Sequence, residues 1–142
     1  MGRSNVEAYS VALEPSDRQW LKQHGPLRLG ISAPDYGPFE MTVNGQDFEG
    51  LTADYAQLLS QLLRTKIEVK RYPSRPQAIE APKGGEPDLL SSSNGFEAQY
   101  PELVLSRAYA DDSPSLVTRS SNQERPPVDL AGLRVAMLDH YL

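Results

Sequence analysis

Histidine is the residue that most readily serves as a base near neutral pH, and the chain has two, His24 and His140. A serine or threonine nucleophile needs such a base beside it, oriented by a third group. Neither histidine lies in a G-x-S-x-G or H-E-x-x-H setting, and no G-x-x-x-x-G-K or G-x-G-x-x-G run is present to cradle phosphates. His24 reads as a cation at a helix C-terminus, where it complements the helix dipole. "KGGEPD" reads as a turn before a strand. Asp111, Asp112 and Glu124 lack the regular oxygen-ligand spacing of a calcium loop. The chain has no cysteine, which excludes disulfides, thiol catalysis and Cys-zinc sites. These residues point away from an enzyme, a resident metal and a cofactor, and toward binding.

The side chains suited to binding sit in three short stretches. "SAPDYGPFE" brings Tyr36 and Phe39 onto a turn stiffened by two prolines. "YPSRP" carries Tyr72, and "SSSNGF" carries Ser91, Ser92, Ser93 and Asn94. Each stretch follows a strand-like run, so all three would leave the carboxyl ends of strands on one sheet edge, where open α/β sheets hold their ligands. Aromatic surfaces with hydroxyls and an amide make a lining for a small molecule. The expected contacts are therefore Tyr36, Phe39, Tyr72, Ser91, Ser93 and Asn94. Tyr36 is expected at the rim and Phe39 facing inward, toward the core.

Strands and helices must place those stretches. "EPSDRQWLKQHGP" reads as a short helix with Ser16 as its cap, Trp20 and Leu21 on its apolar side, and Gly25–Pro26 as its stop. Leu27, Leu29 and Ile31 alternate, so 27–32 is a strand. "FEMTV" and "QDFEG" flank Asn44–Gly45, a strong hairpin signal. Tyr55, Leu58, Leu59, Leu62 and Leu63 fall on one helical stripe. Ile67 and Val69 alternate in the next strand, so strand–helix–strand predicts a parallel pair with a right-handed crossover. A short helix with Pro76 in its first turn is ended by Pro82. "DLLSS" is a brief strand, and "NGFEAQYPE" a loop or single turn. "LVLSRAYA", "SPSLVTRS" and "LRVAMLDHYL" read as further extended segments. The sum is an α/β sandwich.

Composition sets outer bounds. The chain's 142 residues suit one domain or a large piece of one. A net charge of −5 with no basic stripe speaks against nucleic acid as a partner, because phosphate contacts need a cationic face. No apolar run reaches the ~18–20 residues that cross a bilayer. "MGRSNVEAYS" lacks the apolar stretch of a signal peptide.

The order "LRLGISAPDYGPFE…NGQDFEGLTADYAQLLSQLL…IEVKRY…GGEPDLL…LVLSRAYADDSPSLVTR" resembles the extracellular solute-binding proteins that bind amino acids, two-lobed Venus-flytrap domains with a ligand in the cleft. "LEPSDRQWLKQHGPLRLGI" narrows the resemblance to the periplasmic flytrap domains of hybrid sensor histidine kinases of the BvgS/EvgS type. It covers residues 13–142, and its specific part is the order and spacing of the segments. The resemblance implies a three-layer periplasmic-binding-protein-like lobe with a mainly parallel sheet, truncated at the start of lobe 2. Residues 1–12 would be a flexible lead-in, 13–120 lobe 1, and 121–142 the linker and first strand of lobe 2. Tyr36 and Phe39 match the aromatic positions of the family's "P-P-F" turn. Asp54 matches the acidic residue opening the next helix, and Asp88 the aspartate before the third strand. Ser91 and Ser93 lie where ligand contacts are expected.

One departure bears on the ligand. Amino-acid binders carry an arginine six residues before the serine of "F-S-x-P-Y", forked onto the ligand carboxylate. That serine matches Ser106 here, the arginine's place is Tyr100, and Ala108 replaces the proline. A bidentate guanidinium has no good substitute, so the amino-acid clamp is absent; Arg75 and Arg107 are the nearby cations that could take another anion. The resemblance implies a periplasmic sensory module of a membrane-anchored kinase. It would receive a small molecule or a protein partner, with a homodimer as one way to complete the lobe. The alternatives are a stand-alone solute-binding protein of a transporter and a ligand-free interaction module.

Overall fold

A computed structural model describes residues 11–113, 115–122 and 124–137. It divides into two compact units, one ending at Leu105 and one beginning at Ser106. Among the described residues, every helix and strand lies in the first unit.

Helix α1 (Pro15–His24) begins one residue before the expected Ser16 cap. Pro15 takes the first helical position, where its fixed φ suits the turn and its missing N–H is not needed. Glu14 becomes the N-cap without a side-chain bond. Gly25 (φ 82) ends the helix, and its N–H donates to the Leu21 carbonyl. Trp20 stacks on His24 at 4.5 Å between ring centroids.

The sheet is parallel, with strand order β4-β1-β5. These are β1 (Leu27–Ser32), β4 (Ile67–Tyr72) and β5 (Leu89–Leu90). Between β1 and β4 lie an antiparallel hairpin, β2 (Met41–Val43) and β3 (Asp47–Glu49), and helix α2 (Leu51–Leu63). Asn44 (φ 51) and Gly45 (φ 73) form the hairpin turn, the mirror-image type that matches strand twist. Between β4 and β5 runs α3 (Arg75–Glu80), continued by a 3-10 turn over Ala81–Gly84. Ser74, not foreseen as a cap, accepts from the Gln77 N–H. The path steps from β1 out to β4, then back past β1 to β5. Two crossovers that run in opposite directions, each with the right-handed sense that such connections take, would put α2 and α3 on opposite faces of the sheet.

Leu27, Leu29 and Ile31 are buried on one face of β1, as their alternation requires. Each such side chain contributes about 1.5–3 kcal/mol relative to exposure. Gly30 lies on the other face, where an added Cβ would meet Pro87 Cγ at 2.6 Å and Tyr72 Cε2 at 3.2 Å. Only glycine lets Pro87 and the Tyr72 ring close over the sheet there. The amino ends of β1 and β5 are tied by Asp88: its Oδ2 accepts from the Arg28 N–H at 2.9 Å, and its Oδ1 lies 2.9 Å from His24 Nε2. Asp88 thus fastens α1 to the sheet, at the end away from the expected site.

The stripe on α2 is only partly covered. Leu59, Leu62 and Leu63 are half-buried, whereas Tyr55 and Leu58 are exposed. Between α2 and β4 runs a trough of about 300 Å³, lined by Phe48, Ala53, Ala56, Ile67 and Val69 among others.

The segments read as further strands form none within the described residues. Val104, Val117 and Val135 are 96%, 88% and 47% exposed. Alternation alone does not make a strand; a neighbour must take its backbone hydrogen bonds. Residues 1–10 of the expected 1–12 lead-in, the end of the last expected strand and His140 lie outside the described residues.

Candidate functional site

The carboxyl ends of β1, β4 and β5 bring the three predicted stretches together: the Ala33 N–H donates to the Tyr72 carbonyl at 3.1 Å, and Arg75 of the β4 exit donates to the Ser91 carbonyl at 2.9 Å. After β1 the chain closes a tight turn. The Tyr36 N–H donates to the Glu40 carbonyl, and the Glu40 N–H returns to the Tyr36 carbonyl, each at 2.8 Å. The Phe39 N–H donates to the same Tyr36 carbonyl at 2.9 Å. The rings of Tyr36 and Phe39 stack at 5.4 Å with 16° between planes, and both residues are half-buried. They therefore act as one aromatic pair rather than as a rim residue and a core residue.

Two anchors hold this turn. Asp35 accepts from the Thr42 N–H at 2.9 Å through Oδ2 and from Arg71 at 3.1 Å through Oδ1. The Thr42 N–H, reinforced by the Arg71 guanidinium, holds the Asp35 carboxyl below its ordinary value. On the other side, the first N–H groups of α2 have no partner within the helix. The Leu51 N–H takes the Pro38 carbonyl at 3.2 Å, and the Thr52 N–H takes the Phe39 carbonyl at 3.0 Å. Gly50 makes this seating possible. At φ 110, an added Cβ there would lie 2.4 Å from the Phe39 oxygen and 2.8 Å from the Pro38 oxygen.

The Thr52 hydroxyl bridges to the Ser92 hydroxyl at 3.2 Å, so the aromatic turn and the exit of β5 meet at the N-terminus of α2. Ser91 continues the ladder, its N–H donating to the Gly30 carbonyl at 3.0 Å. It is 3% exposed, and its hydroxyl has no hydrogen-bond partner among the described residues. Ser93 follows, and Asn94 opens the 3-10 turn Glu97–Gln99. Asn94 Oδ1 accepts from the Phe96 and Glu97 N–H groups at 2.9 and 3.1 Å, and Glu97 Oε2 accepts from the Asn94 N–H at 3.1 Å. This is a reciprocal capping box. The Tyr72 side chain turns away from the group, its ring across Gly30 and its buried hydroxyl without a partner among the described residues.

The strongest polar feature of the edge is Arg75. Its Nε lies 2.6 Å from Glu97 Oε1, and its Nη2 lies 2.7 Å from Oε2, 2.9 Å from the Ser91 carbonyl and 3.4 Å from Ser93 Oγ. The side chains are 15% and 12% exposed. A two-pronged guanidinium–carboxylate pair this sheltered is geometrically specific. Glu97 was not foreseen, though "NGFE" carries the N-x-x-E pattern of a capping box. Glu40 was also missed: it is 5% exposed, and its Oε1 has no partner among the described residues. Among those residues no cluster of His, Cys, Asp and Glu could hold a metal, and no helix is long and apolar enough to cross a membrane.

No family model matches the chain. Over all 142 residues it is 40% identical to the virulence sensor protein BvgS of Bordetella bronchiseptica and 39% identical to that of Bordetella pertussis, spanning 11% of each. It is 23% identical over 139 residues to the sensor protein EvgS of Escherichia coli K12, spanning 11% of that protein. The chain thus covers about a tenth of the length of the curated relatives it matches. Among solved structures, the crystal structure of the B. pertussis BvgS periplasmic domain superimposes with a TM-score of 0.61 at 38% identity, over 70% of this chain and 19% of that one. The chain is homologous to the periplasmic domain of BvgS, a Venus-flytrap-like fold, and not to its kinase part.

Proposed function

We propose that this chain is part of the periplasmic detection domain of a membrane-anchored hybrid sensor histidine kinase, and that it receives a small solute or a periplasmic protein at the carboxyl ends of β1 and β5. Binding there would bias one of two lobe arrangements and so the kinase. The 40% identity to BvgS over all 142 residues, together with the structural match to the BvgS periplasmic domain, is the observation that carries this reading. In this view residues 13–120 belong to the first lobe and 121–142 open the second. Solute contacts fall to Tyr36, Phe39, Ser91, Ser93 and Asn94, with Tyr72 packed beneath them against Gly30.

Melting curves of the chain against a panel of small solutes test the reading. A ligand at about a hundred times its Kd stabilises by about 2.7 kcal/mol, which is a readable shift. Stabilisation by one chemical class, lost in Ser91→Val, is expected. If no solute stabilises the chain, and Ser91→Val in the intact sensor leaves kinase output unchanged, the site is lost. The ligand-free interaction module is the second reading. The internal pairing of Arg75 favours it, since the one sheltered guanidinium described here is already satisfied.

A further inference from the structure

Taking the strand ends as the solute-facing edge, we propose that Glu97 is a built-in occupant of the Arg75 fork, and that it sets the selectivity of this edge against carboxylate solutes. Arg75 leaves the N-terminus of α3 and reaches across to the exit of β5. There it takes both oxygens of one carboxylate and, through the same Nη2, the Ser91 carbonyl. That is the geometry with which arginine recognises a carboxylate from outside. The carboxylate here comes from the chain itself, 22 residues downstream. Glu97 rides on a three-residue 3-10 turn that belongs to no sheet or α-helix. Its backbone is fixed by the Asn94 cap, which survives loss of the Glu97 side chain through the bonds of Asn94 Oδ1.

An outside carboxylate must displace a tethered one. The tether gives Glu97 an effective concentration of millimolar or more, so weak carboxylates are shut out while neutral solutes are not penalised. The same pair orders the loop carrying Ser91, Ser93 and Asn94 before any solute arrives. Removing the Glu97 side chain should therefore leave an arginine with a carboxylate-shaped gap beside it.

Chemical rescue is the test, with acetate as the probe and chloride at matched ionic strength as the control. Glu97→Ala should melt at a lower temperature than the unmodified chain, and acetate should restore part of the loss. The unmodified chain and the Arg75→Gln/Glu97→Ala double variant should not respond. In NMR spectra the Arg75 Nε–H resonance should move on acetate titration in Glu97→Ala, with an apparent Kd at least about tenfold below that of the unmodified chain. Glu97→Gln, which retains one acceptor oxygen, should fold and respond more weakly. Equal response of the unmodified chain overturns the proposal, as does silence of Glu97→Ala. If neither variant folds even with acetate, the pair is structural and the proposal fails. A failed solute panel leaves this test intact, because the rescue reads Arg75 and not signalling.

Discussion

Replacing Gly50 by alanine tests how the aromatic turn is seated. Gly50 has φ 110 and ψ −176, a region essentially reserved for glycine that costs an L-residue about 1–3 kcal/mol. Its Cβ would also lie 2.4 Å from the Phe39 oxygen and 2.8 Å from both the Phe39 carbon and the Pro38 oxygen. These are backbone atoms and cannot turn aside as a side chain would. The segment must move, and it carries the two carbonyls that satisfy the Leu51 and Thr52 N–H groups. Losing two such bonds adds about 1 kcal/mol each. The sum for Gly50→Ala is about 3–5 kcal/mol. Gly45→Ala is the control: its φ is 73, but an added Cβ meets nothing within 4 Å, so it should cost only about 1 kcal/mol. Urea unfolding reads both, and with a slope of about 2 kcal/mol/M the two midpoints should differ by about 1 M or more. Equal midpoints would show that the turn is not packed onto the start of α2.

Further outcomes follow from the same edge. Because the folded Asp35 carboxyl is held below its ordinary value of 3.8, its contribution to stability is complete above that pH and is lost as pH falls through the lower folded value. Asp35→Asn should flatten that acid-side slope by lowering the melting temperature at neutral pH while leaving the acid end nearly unchanged; an unchanged slope would show that the Asp35 charge adds nothing to the fold. Glu40→Met removes a buried carboxyl whose Oε1 has no partner among the described residues and should stabilise by about 1 kcal/mol; a comparable loss in urea unfolding would mean that the other oxygen holds a strong partner. Tyr36→Ala should lower the melting temperature little and weaken any solute-induced shift; a large loss of stability with intact solute response would place Tyr36 in the core alone.

The parts of the fold visible in sequence are those whose residues decide locally. Leu27, Leu29 and Ile31 fix β1 by their period, and Asn44–Gly45 fixes the hairpin by its φ requirement. Gly25 stops α1 by taking a positive φ, whereas the left-handed Arg64 that ends α2 carries no such signal in sequence. The α1 cap was misplaced because Ser16 looks like a cap, while Pro15 ahead of it is itself suited to the first turn. Strands expected beyond Leu103 depended on partners, which a segment's own residues cannot reveal. The site was half legible. Strand-end logic found the Tyr36–Phe39 turn and the Ser91–Asn94 loop, whereas Tyr72 was drawn beneath the sheet by a glycine at position 30. The Arg75–Glu97 pair spans a helix, a strand and a loop, so no periodicity announces it.

The central claim is that the carboxyl ends of β1 and β5 form the receiving edge, and mapping backbone amide shifts in the intact chain during titration with a stabilising solute tests it most directly. Shifts should concentrate at Tyr36–Glu40, Leu51–Thr52 and Ser91–Glu97. Shifts concentrated instead around Gly25, Arg28 and Asp88, or along the trough of Phe48, Ala56 and Val69, would contradict it.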